Sequence, residues 1–81
     1  PSKHVADPIL DPLKVVSARV DRIAGAVLLT LPSGQQGRLE WADSWAATEN
    51  RAFESYDRYQ PGKTLAVVVT EGLNETMESA S

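Results

Sequence analysis

The sequence predicts a small all-β protein, a closed barrel of about five short strands with one helical interruption between the third and the fourth. Three observations carry that expectation. Apolar and polar residues alternate over 15–20, the period of a half-buried strand. Two glycine-marked turns, one at Pro32-Ser-Gly34 and one at Pro61-Gly62, stand between short apolar runs. Between those turns the spacing of apolar residues shifts from two toward that of a helix.

Residues 1–12 hold Pro1, Pro8 and Pro12 with few apolar residues between them, and read as a flexible lead-in or linker. The first strand begins near Val15: Val16, Ala18 and Val20 share one side, while Ser17, Arg19 and Asp21 face the other. A turn at 24–26 leads into a second strand over 26–31, with Val27, Leu29 and Leu31 inward and Ala26, Leu28 and Thr30 outward. Gly34 and Gly37 supply the positive φ that the next connection often needs. The third strand, 37–41, places Leu39 and Trp41 inward and Arg38 and Glu40 outward, so Trp41 reads as core rather than as a stacking platform.

After this strand the period changes. Asp43 or Ser44 is a good N-cap, and Trp45, Thr48, Ala52, Phe53 and Tyr56 recur near helical spacing, which predicts one or two helical turns. The alternative is an irregular excursion, since Asn50 and Ser55 weaken a long helix. Trp45, Phe53, Tyr56 and Tyr59 are expected to close the open end of the barrel. The 59–62 turn ends the segment, and 65–69 is the clearest strand of the chain. A frayed final strand is expected over 75–78, which makes 13–78 the folded domain and 79–81 a tail. This order suits a five-stranded Greek-key barrel of the oligonucleotide/oligosaccharide-binding (OB) type, with a small SH3-like barrel as the competing reading.

Composition narrows the function. At 81 residues there is room for one domain, and 42% hydrophobic with 23% charged residues is a globular mixture. Without cysteine there is no disulfide framework, thiol nucleophile or cysteine-ligated metal. His4 is the single histidine and lies in the expected lead-in, so no metal or other cofactor is anticipated. The apolar runs at 24–29 and 65–69 fall far short of the ~20 residues that cross a bilayer, and no membrane partner is expected. Neither phosphate-binding glycine motifs nor a serine–histidine pairing occurs, and no two carboxylates are marked as a buried acid/base pair, so the chain reads as non-catalytic. A net charge of −3 means that any surface for nucleic acid must be a local patch of cations.

With the strands in order, the chain resembles an S1 RNA-binding domain from Leu13 to about Met77. The resemblance rests on Val16-Ser-Ala-Arg-Val20, on 26–31, on Gly37-Arg-Leu-Glu-Trp-Ala-Asp43, and on 59–69 with its Pro-Gly-Lys turn. Pro32-Ser-Gly34, Ala42-Asp-Ser44 and Phe53 are similar to the variant found in the multi-S1 scaffold of ribosomal-RNA processing, the programmed cell death protein 11 family. That resemblance implies an RNA-binding module among tandem S1 domains, acting in ribosome biogenesis in the nucleolus, with RNA and other proteins of a processing complex as partners.

Departures from the family pattern weaken the implied task. Where strong RNA binders of the family carry stacking aromatics and a histidine, this chain has Gly25, Leu28 and Glu40. Stacking is worth ~1–3 kcal/mol per base, so its loss leaves weak binding. The candidate contact residues are Arg19, Leu28 and Arg38: two arginines expected to point outward from adjacent strands, beside an apolar side chain. Against that stands ordinary solvated surface, with Arg38 paired to Glu40. A second function class keeps the barrel as a protein-interaction or spacer module without RNA readout, in line with the acidic balance and Glu40.

Overall fold

The computed structural model describes residues 2–9 and 12–70. Its frame is a closed barrel of five strands in the order β1-β4-β3-β2-β5. The strands are β1 (Lys3–Ala6), β2 (Val15–Ile23), β3 (Val27–Thr30), β4 (Gln36–Leu39) and β5 (Thr64–Val69). The protein is an all-β barrel with one short helix, α1 (Trp45–Thr48), and brief 3₁₀ turns.

Alternation builds this frame. Ala18 and Val20 of β2, Val27 and Leu29 of β3, Leu39 of β4 and Leu65 and Val67 of β5 all enter one buried cluster. Their polar neighbours in sequence face out, as the pleat requires. The long β2 serves two partners: its first half pairs antiparallel with β5, from Val15 opposite Val68 to Arg19 opposite Thr64. Its second half pairs with β3, from Arg19 opposite Thr30 to Ile23 opposite Val27.

The segment 1–12, expected as a flexible lead-in, instead contributes the closing strand. β1 runs parallel to β4, with His4 opposite Arg38, and antiparallel to β5, with Val5 opposite Val69. Val5 is fully buried in the central cluster. Only two of the four residues of β1 are apolar, so periodicity gave little warning; the strand is held by the unpaired edges of β4 and β5. The strand expected over 75–78 lies outside the described residues.

Both glycine turns form, each by its own geometry. Gly34 (φ 91°) follows Pro32 and Ser33, its N–H donating to Leu31 O at 2.9 Å, a three-residue hairpin loop with its third residue left-handed. Gly62 (φ 89°) sits after Pro61, and the turn is sealed by Lys63 N–H to Gln60 O at 3.1 Å. Gly37 does not take positive φ as expected. It is a packing glycine: a Cβ there would meet Leu29 Cδ1 at 2.7 Å.

The connection from β4 to β5 holds α1 and 3₁₀ turns at Trp41–Asp43, Phe53–Ser55 and Asp57–Tyr59. Ser44 caps α1, its Oγ accepting from Ala47 N–H at 3.3 Å. Phe53 and Tyr59 enter the core, and Tyr56 packs against it. Their rings meet edge to face, Phe53 with Tyr59 at 4.9 Å and Tyr56 with Tyr59 at 6.1 Å.

Candidate nucleic-acid interface

The outer face of β2, β3, β4 and β1 carries one row of cross-strand neighbours: Arg22, Leu28, Arg38 and His4. A bulge creates it. Between Val20 and Arg22 the β2 register shifts by one residue, so Asp21 is left over and Arg22 lies opposite Leu28. Asp21 turns to Thr30, whose Oγ1 donates to its Oδ2 at 2.7 Å.

This register revises the expected arrangement of Arg19, Leu28 and Arg38. Arg19 and Arg38 are not on adjacent strands, because β3 lies between β2 and β4. Arg19 sits opposite Thr30 and is exposed, with its guanidinium 3.5 Å from Asp21. Leu28 points outward as expected, yet only 8% of it is exposed. Arg22 and Arg38 are its cross-strand neighbours, and little apolar surface is left for a ligand. Arg38 is bonded through Nε to Glu40 two residues on, the pairing that its neighbourhood in sequence allowed.

The sequence ranks Arg22 only as a weaker, strand-end candidate; the register gives it the place beside Leu28 that was expected of Arg19. Arg22 is exposed, and no described acidic side chain pairs with it. A signal was present: Val20 and Ile23 both face the core with two polar residues between them, which breaks a period of two and marks a bulge. His4 was set aside with the lead-in, and enters the row only because β1 pairs with β4.

Trp41 also departs from expectation. β4 ends at Leu39, and the chain turns into a 3₁₀ segment that carries Trp41 out of the barrel interior. It is 39% exposed, and its indole N–H donates to Arg51 O at 2.7 Å. Beside it an open groove of about 360 Å³ is floored by Phe53 and walled by Ile23, Gly25, Asn50, Arg51, Ala52 and Glu54. Asn50, at φ 55°, turns the chain from α1 into that wall. Trp45 is half-buried and already engaged, edge to face with Tyr56 at 4.8 Å and under the Arg58 guanidinium at 4.5 Å.

Beneath these surfaces lies a buried polar knot. Asp7, just past β1, accepts from Tyr59 Oη at 2.8 Å and from Trp45 N–H at 2.5 Å, while its own N–H donates to Asp43 O at 3.0 Å. Ala46 N–H donates to Tyr59 Oη at 3.3 Å. Burial, then the bond and the charge of Asp7, push the Tyr59 phenol up to about 12. The knot ties β1 to the β4–β5 connection and opens onto no groove named above, so its role is structural.

Among the described residues no group of three metal-ligating side chains converges, and no helix is long and apolar enough to cross a membrane. No protein family, curated protein or solved structure matches the chain.

Proposed function

We propose that the chain is a non-catalytic S1-type barrel that binds single-stranded RNA weakly, as one module of a larger protein of ribosomal-RNA processing. The observation that carries this reading is the row Arg22, Leu28, Arg38, His4 on one outer face. Two arginines at either side of a strand meet a phosphodiester backbone, and the long strand of RNA lies across the sheet. The strand order supports the OB-type reading: β2, β3 and β4 are successive neighbours and β5 returns by a long connection to lie beside β2, as in a Greek key. β1 then fills the closing position that the resemblance gives to a C-terminal strand. Low affinity per module fits a tandem array, in which linked sites bind at high effective concentration.

A second reading, a protein-interaction or spacer barrel, is favoured by the Arg38–Glu40 pair and the covering of Leu28, which both subtract from an RNA surface. Titration with single-stranded RNA at low salt, followed by amide chemical shifts, separates the two. The RNA reading expects shifts centred on Arg22, Leu28, Arg38 and His4. Arg22→Ala is expected to weaken binding and to lower the slope of log K against log salt by about 0.7, one phosphate contact on a single strand. No shift into the millimolar range of RNA leaves the second reading standing.

A further inference from the structure

The groove beside Trp41 shares no residue with the row Arg22, Leu28, Arg38, His4, yet its lining residues Ile23 and Gly25 lie at the end of β2 next to Arg22. Ile23, in its wall, is the next residue after Arg22, and Trp41 is three residues past Arg38. One such step spans about 3.8 Å between Cα atoms and three span at most about 11 Å. A phosphodiester lying on Arg22 and Arg38 is therefore within reach of the groove with its neighbouring base.

We propose that this groove seats one unstacked base of a single-stranded RNA against the indole of Trp41, an inference that rests on the RNA-binding reading above. The groove supplies what the strand face lacks. Stacking needs a rigid aromatic surface open on one side, and the bond from the indole nitrogen to Arg51 O fixes the ring while 39% of the residue stays exposed. Phe53 gives an apolar floor, and Gly25 and Ala52 leave the walls low. Arg51 and Glu54 both line the groove, and the carboxylate of Glu54 is the group there that accepts a hydrogen bond from an exocyclic amino group. A base that carries such a group, adenine, cytosine or guanine, suits the site better than uracil.

The test follows the two indole N–H signals of the intact chain, assigned with Trp41→Phe, during titration with oligo(A), oligo(C), oligo(U) and an abasic strand of equal length. The Trp41 signal is expected to move with oligo(A) and oligo(C), less with oligo(U) and not with the abasic strand, while the Trp45 signal stays. Trp41→Ala is expected to weaken oligo(A) binding about 5- to 150-fold, the range of one lost stacking contact. Ala52→Glu, at an exposed position, fills the groove without touching the core and is expected to act in the same direction. RNA binding that depends on Arg22 but leaves the Trp41 signal still, and is indifferent to Ala52→Glu, overturns the groove and spares the RNA-binding reading. Absence of any binding to RNA overturns both, and a Trp41 response to a proline-rich peptide alone assigns the groove to protein instead.

Discussion

Tyr59 joins the aromatic core of this small barrel to its buried polar knot. Its ring is fully buried among Phe53 and Tyr56, and its hydroxyl both donates to Asp7 and accepts from Ala46 N–H. Tyr59→Phe keeps the ring but strips a donor from the buried Asp7 carboxylate, and is expected to cost about 1–3 kcal/mol in urea unfolding. The pH dependence has a definite sign. The phenol is raised from 10 to about 12 in the folded chain, so its contribution is fully present below pH 10. Between pH 10 and about 12 the unfolded chain loses this proton first, and stability falls as pH rises. Unfolding midpoints at moderately and strongly alkaline pH check this: the wild type is expected to lose more stability over that interval than Tyr59→Phe.

Turns and bulges set which side chains the strands can offer. The extra residue in β2 puts Arg22 opposite Leu28, where an unbroken register would place Asp21, and so supplies a cation at that end of the row. Gly37 controls the other flank of that row, since β4 lies close over Leu29 and Leu31 only because no Cβ intervenes. Gly37→Ala is expected to destabilise the barrel by about 1–3 kcal/mol through overpacking against the fully buried Leu29. Gly34→Ala meets open space and carries only the cost of a left-handed backbone, on the order of 1 kcal/mol. Denaturant midpoints of the two variants distinguish crowding from backbone strain.

Closure is the property that belongs to the whole molecule. With β1 in place every strand has two partners, and neither β4 nor β5 shows an edge to another chain. A chain that begins at residue 8 lacks β1 and the Asp7 knot together. It is expected to lose cooperative thermal unfolding and to self-associate in sedimentation through the exposed edges of β4 and β5. Charge is organised at the same scale: the chain is acidic, at −3, yet the pairing of β2, β3 and β4 sets Arg22 and Arg38 on either side of Leu28.

Periodicity alone determined β3, β4 and β5 within a residue or two of their ends, β2 up to the bulge that carries it three residues further, the helical interruption, and the outward faces of Arg19, Leu28 and Arg38. Those are local consequences of alternation and of turn chemistry at Pro32-Ser-Gly34 and Pro61-Gly62, and each is written within a few residues of chain. Trp41 was misplaced because alternation was carried two residues past Leu39, where the strand ends and a 3₁₀ turn takes over. Only the tertiary structure decided what closes the barrel and which cations meet. Lys3–Ala6 becomes a strand because β4 and β5 present unpaired backbone to it, and His4 joins Arg38 for the same reason. Pairing across tens of residues leaves no mark on a four-residue segment read by itself, and the face on which this protein is proposed to hold its ligand is made of such pairings.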